Sequence, residues 1–192
     1  MKKIFWIFLT LLIFGCRNTK QNPTGDHHQN HNMKVVTSTS KTLSPEKYAM
    51  AILGDAHIHI EYSAPSVRGR IIYGGLLAYG EVWQSGAHNA TWIETNKDIT
   101  INENLLKAGK YGFFTIPNKD KWTIIFNKNW DQHGKDDYNE NDDVLRFDVT
   151  PEISEEIIEQ LIYQVEKLNE KEGIISLSWE KVSVSFPFVL SK

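Results

Sequence analysis

Apolar and polar positions alternate along most of this chain in short runs, and glycine, proline and aspartate separate one run from the next. Alternation puts every second side chain on one face, which predicts half-buried β-strands. Residues 47–53 and 57–62 flank Gly54-Asp55 and predict a hairpin. In the second of these runs His57, His59 and Glu61 share one face, while Ile58, Ile60 and Tyr62 share the other. Further strands are predicted over residues 90–95, 98–102, 110–116, 122–126, 144–149 and 175–188. Pro65, Gly69, Gly74 and Gly75 break the intervening stretch into loops around short apolar pieces at 71–73 and 81–83. Residues 127–143 carry five Asp and one Glu and predict a long polar loop.

One segment reads both ways. Ile153, Ile157, Ile158, Leu161, Ile162, Val165 and Leu168 have helical spacing between Pro151 and Gly173, whereas Leu161, Tyr163 and Val165 alternate as a strand does. Local pattern favours a helix there, and the surrounding run of strands favours another strand. Many short strands at intervals of roughly 8–12 residues predict an all-β fold, an antiparallel β-sandwich of jelly-roll-like type with long loops.

The first residues follow a different pattern. Lys2 and Lys3 precede an apolar run, residues 4–14, broken only by Thr10. A membrane-spanning helix needs roughly 20 residues, so this run fits the core of a signal peptide. It ends in Ile13-Phe14-Gly15-Cys16, which resembles the bacterial lipobox. That resemblance implies cleavage before Cys16, acylation of its thiol and amine, and anchoring in a lipid bilayer. Arg17, rather than Asp, follows the cysteine, which favours the outer membrane of the cell envelope, facing the periplasm. Residues 16–44 are polar and lack apolar periodicity, so they are expected to be a disordered tether. The expected organisation is a leader at 1–15, the lipidated cysteine and tether at 16–44, and the β domain at 45–190.

Charge and cysteine content narrow the function classes. The net charge is -3 with no basic stripe, so no nucleic-acid partner is expected. Cys16 is the only cysteine, which leaves no intramolecular disulfide and no thiol chemistry inside the domain. No nucleophile elbow, H-E-x-x-H or phosphate-binding glycine loop occurs, and no cofactor is implied.

Three stretches carry a family resemblance: Tyr62-Ser63-Ala64-Pro65-Ser66-Val67-Arg68-Gly69-Arg70, Val82-Trp83-Gln84-Ser85-Gly86-Ala87-His88-Asn89-Ala90-Thr91, and Lys107-Ala108-Gly109-Lys110-Tyr111-Gly112-Phe113-Phe114-Thr115-Ile116-Pro117. With residues 122–127, Trp179-Glu180 and Val184-Ser185-Phe186-Pro187, they resemble the DUF2911 family of bacterial proteins over residues 45–188. The resemblance implies a mainly β fold, an exported location and no particular reaction. It also implies that residues 157–167 form a strand. The family usually has Arg where Ala64 and Gln84 stand, which weakens here any anion-holding role of those arginines.

Four groups of residues are candidates for chemistry. His57, His59 and Glu61 are competent zinc or iron ligands on one strand face, but Ile58, Ile60 and Tyr62 claim the buried side. A plain solvated face is therefore the expectation, with no metal. His27, His28 and His31 of the tether suit adventitious divalent metal. Asp131, Asp136, Asp137, Glu140, Asp142 and Asp143 lack EF-hand spacing and read as a solvated loop. The candidate ligand-binding set is Tyr62, Arg68, Arg70, Trp83 and His88, because a cleft with an indole face and guanidinium forks suits a small anion or a glycan. The leading expectation is a non-catalytic binding or structural module of the envelope. The alternative is a hydrolase or metal-dependent enzyme using His88 or the His57/His59 face.

Overall fold

The structure is a computed structural model, and it describes residues 42–191. The predicted leader, Cys16 and the tether histidines lie outside the described residues. Ten strands occur among those described: β1 Glu46–Leu53, β2 Ala56–Ser63, β3 Trp92–Thr95, β4 Ile99–Ile101, β5 Asn104–Leu106, β6 Gly109–Ile116, β7 Trp122–Asn127, β8 Asp143–Val149, β9 Glu152–Lys167 and β10 Glu172–Leu190. They form a six-stranded sheet in the order β1-β2-β3-β6-β7-β8 and a four-stranded sheet in the order β5-β4-β10-β9. All pairings between these strands are antiparallel, and the sheets pack as an open sandwich.

Alternation explains most strands directly. In β2 the buried Ile58, Ile60 and Tyr62 face the core, and His57, His59 and Glu61 face outward, as their order predicts. Gly54, at φ 57°, supplies the left-handed step that closes the β1–β2 hairpin with Leu53 opposite Ala56. The inner faces of both sheets meet in a core rich in Phe113, Trp122, Phe126, Trp179, Phe186 and Phe188. Strands β6 and β7 do not alternate, because both their faces are covered. Phe113 and Phe126 point to the core, while Phe114 and Ile125 lie in a second small cluster with Ala90, packed against Val82 and Tyr138 from the loops.

Strand β9 resolves the ambiguous segment. Leu161 and Tyr163 alternate into the core, whereas Ile153 and Ile157 stand 69% and 57% exposed. The helical spacing of the isoleucines thus corresponds to no buried stripe, and pairing with β10 decides the conformation. The apolar piece at 71–73 is not a strand. It is part of a compact turn in which Leu76 and Leu77 donate their amides to the carbonyls of Ile71 and Ile72, while Ile72 and Tyr73 are driven into the core. The short strand β5 was not anticipated by the alternation.

Segment 64–67 crosses from the end of β2 to β9. The Leu161 amide donates to the Pro65 carbonyl at 2.9 Å, and the Val67 amide donates to the Glu159 carbonyl at 2.7 Å. These bonds fasten the two sheets together along one side and fix the start of the Arg68–Arg70 turn.

Burial sets the alkaline limit of this fold. It pushes the phenols of Tyr62, Tyr73 and Tyr163 above their ordinary value of about 10. In the unfolded chain the same phenols ionise at that ordinary value, so the unfolded state gains charge first as pH rises. The contribution of these phenols is therefore fully present below about pH 10 and falls above it. Urea unfolding followed by tryptophan fluorescence will show a midpoint that is flat from neutral pH up to about 10 and then declines.

Candidate functional site

Four of the five predicted ligand-binding residues come together. Arg68, Arg70, Trp83 and His88 line one cleft of about 620 Å³, a size usual for small-molecule sites. Tyr62 does not line it. Its ring lies 4.7 Å from that of Tyr163, its hydroxyl accepts the Tyr163 amide at 3.3 Å, and it borders a separate notch of about 60 Å³ beside Trp92 and Trp130.

Two loops shape the cleft, and both are locked from behind. In the first, Arg68 takes φ 51° and its amide donates to Glu159 Oε1 at 2.9 Å. Its guanidinium donates to the Leu43 carbonyl. Arg70 folds over the same turn, with Nε donating to the Val67 carbonyl at 3.1 Å and Nη2 to the Ser66 carbonyl at 2.6 Å. Each guanidinium carries five N–H donors, so most of their donating capacity is unspent among the described residues.

The second loop runs from Trp83 to Thr91. Trp83 and Thr115 exchange backbone hydrogen bonds at 2.8 and 3.0 Å, which extends the six-stranded sheet locally. Ser85 is fully buried at φ 55°, an uncommon conformation for a residue with a Cβ. Its carbonyl accepts from the Tyr163 hydroxyl at 2.7 Å and the Thr91 hydroxyl at 3.0 Å, which hold that conformation in place. Its own hydroxyl donates to the Thr115 hydroxyl at 3.0 Å. Glycine is required next, because a methyl at Gly86 would stand 2.7 Å from Thr91 Oγ1. His88 then sits exposed at φ 60°, with its carbonyl accepting the Gly134 amide at 2.7 Å.

The floor is aromatic. Trp83 and Trp179 stack at 5.8 Å, and both line the cleft while being 4% and 1% exposed. The Trp83 indole donates to the Gly86 carbonyl at 3.0 Å. Tyr73 and Trp122 close the same box edge-on. Two buried polar atoms of this box, Trp179 Nε1 and the Tyr73 hydroxyl, have no hydrogen-bond partner. Each such atom costs roughly 1–3 kcal/mol, so this corner is the least satisfied part of the described core. Trp179 was not among the predicted site residues. Its signal was the three-residue step from Trp179 to Val182 in an otherwise two-residue rhythm, which marks a bulge.

The other candidates are placed differently. His59 is stacked between Tyr48 at 6.0 Å and Trp92 at 5.1 Å, and His57 lies 6.3 Å from it. Among the described residues no three His, Cys, Asp or Glu side chains are arranged to hold a metal ion. In the acidic loop, Tyr138 and Arg146 both donate to Asp143 Oδ2, at 2.9 and 3.0 Å, and the Asn127 amide donates to Asp143 Oδ1 at 2.7 Å. That set ties the loop to β8.

The two tyrosines of this region predict opposite outcomes. Tyr163→Phe removes a bonded buried hydroxyl and will lower stability by about 1–2 kcal/mol, with faster amide exchange over residues 85–88. Tyr73→Phe removes an orphaned hydroxyl and will leave stability unchanged or raise it by up to about 1 kcal/mol. Thermal unfolding of the two variants checks both signs.

No curated protein and no solved structure matches the chain significantly. The sequence profile of DUF2911, described as a protein of unknown function, matches residues 44–188. That span holds nearly all of the sandwich and, apart from Thr42 and Leu43, the whole cleft lining, so the chain belongs to the DUF2911 family.

Proposed function

We propose that this protein is a non-catalytic binding module of the bacterial envelope that takes a small anionic ligand in the cleft between its two loops. One observation carries the reading: among the described residues two guanidinium groups and an imidazole line the cleft, and no carboxylate does. The whole chain holds 24 Asp and Glu against 21 Lys and Arg, so the local excess of cationic groups runs against the average. Guanidinium forks with spare donors suit a carboxylate or phosphate oxygen pair. The envelope placement rests on the leader and Cys16, which supply a signal and an acylation site.

Calorimetric titration of acetate and inorganic phosphate into the protein will show saturable binding that weakens with added salt. Arg70→Gln will weaken it at least about tenfold, the loss expected for a charge-assisted pair. Lys121→Gln, an equal charge change at a side chain outside the cleft, will not. Gln84→Arg, which adds a cation to the cleft lining, will strengthen it. Equal effects at positions 70 and 121 would reduce the binding to bulk charge. Turnover of a defined substrate that vanishes with His88→Ala would overturn the non-catalytic reading. Cys16→Ser will abolish incorporation of labelled palmitate and move the protein to the soluble fraction; unchanged membrane retention would overturn the anchor.

A further inference from the structure

The cleft is far larger than a bare anion needs, and its lining is mostly apolar. Beside Arg68, Arg70 and His88 it presents Leu43, Pro65, Leu76, Leu77, Trp83 and Trp179. Leu43 and Leu76 are 70% and 50% exposed, although they flank two arginines on a face where solvent would favour polar side chains. An inorganic ion paired with the guanidinium forks would leave this apolar surface wet. A ligand that covers it gains the transfer free energy of every methylene it brings.

Cation and apolar surface are also segregated within the cleft. Arg68, Arg70 and His88 are exposed, at the solvent side, whereas Trp83 and Trp179 form its buried floor. A molecule with charge at one end and hydrocarbon or an aromatic ring at the other matches this gradient. A polyol such as a sugar matches it less well, because Thr42, Ser44 and Gln84 could pair some of its hydroxyls but those over Leu43, Leu76 and Leu77 would find no partner.

We propose that the cleft selects amphiphilic anions: single soluble molecules with one carboxylate or phosphate head and an apolar body. This rests on the anion-binding reading above and adds the body to it. The head pairs with Arg68 and Arg70, and the body runs over Leu76 and Leu77 toward Trp83 and Trp179.

The test is a chain-length series from acetate to octanoate, with octyl phosphate and 1-octanol, titrated calorimetrically into the full chain carrying Cys16→Ser so that no detergent is present. Affinity will rise roughly fourfold per methylene and the heat-capacity change will grow more negative with length. Octyl phosphate will bind like octanoate, and 1-octanol at least about tenfold more weakly. Leu76→Ser, at an exposed and therefore fold-tolerant position, will flatten the length dependence and weaken octanoate binding. Ile52→Ser, an equally exposed apolar position outside the cleft, will change neither. If acetate and octanoate bind equally, the amphiphile proposal fails and the anion reading stands. If 1-octanol matches octanoate, or if nothing in the series binds, the anion reading fails with it. Loss of octanoate binding in Ile52→Ser rather than Leu76→Ser, or binding only to phosphatidylglycerol vesicles, also overturns the proposal.

Discussion

Strand β10 changes which of its side chains face the core partway along its length. Up to Trp179 the buried positions are Ile175, Leu177 and Trp179; beyond it they are Val182, Val184, Phe186 and Phe188. A strand of strict period two cannot do this without one extra residue. Glu180 is that residue, at φ 58°, and the register with β9 shifts on both sides of it. The left-handed conformation costs about 1–2 kcal/mol in a residue with a Cβ. Burying Val184, Phe186 and Phe188 returns roughly 1.5–3 kcal/mol apiece, so the bulge is retained by the core on its far side. Without it, either Trp179 or the whole C-terminal half of β10 would face water.

The same bulge shapes the cleft. It ends the first phase of β10 on Trp179, whose indole stacks on Trp83 at an interplanar angle of 26° and forms the floor between the two loops. The loops are then positioned by bonds to β9 and to the six-stranded sheet, so the cleft is spanned by rigid elements from both layers of the sandwich. Three of its lining or supporting residues, Arg68, Ser85 and His88, have positive φ without being glycine. Strained backbone of this kind persists only where its surroundings over-determine it. The buried hydroxyls of Tyr163 and Thr91 do so at Ser85, and the Glu159 carboxylate does so at Arg68.

Period-two alternation makes β1, β2, β8 and the halves of β10 legible, because each has a buried face and a wetter one, whereas β7 is legible only as a short β-branched and aromatic run after a polar turn. Strand β6 is legible by its boundaries, Gly109 and Pro117, more than by its pattern, since Phe113 and Phe114 are both buried. Strand β9 is illegible locally. Its N-terminal half has no buried face, so its isoleucines carry no periodic information, and only pairing with β10 settles it. The convergence of Arg68, Arg70, Trp83 and His88 is readable as glycine-rich loops bearing aromatic and cationic side chains. The exclusion of Tyr62 is not, because alternation puts it on the core face of β2 without saying which core neighbour it meets. Trp179 is the instructive omission: its role depends on a bulge that the sequence shows only as a broken rhythm.

The outer face of the six-stranded sheet gives the counter-example that localises the chemistry. It carries Tyr48, His59, Trp92, Lys110 and Trp130, a set that in a sequence looks as promising as the cleft residues. Here, however, the groups spend their interactions on one another. Tyr48, His59 and Trp92 stack in a row across β1, β2 and β3, and the Lys110 ammonium lies 3.4 Å from the Trp92 ring centre and 3.7 Å from that of Trp130. Stacked rings and cation–π contacts of this kind tie neighbouring strands together, with each contributing of order 0.5–1 kcal/mol. A ligand arriving there would have to displace contacts already made. In the cleft the reverse holds among the described residues: most guanidinium donors are unspent, Leu43 and Leu76 are wet, and the Trp179 indole N–H beneath is unpaired. Unsatisfied capacity, rather than the presence of reactive residue types, is what separates the candidate cleft from a face that holds the sheet together.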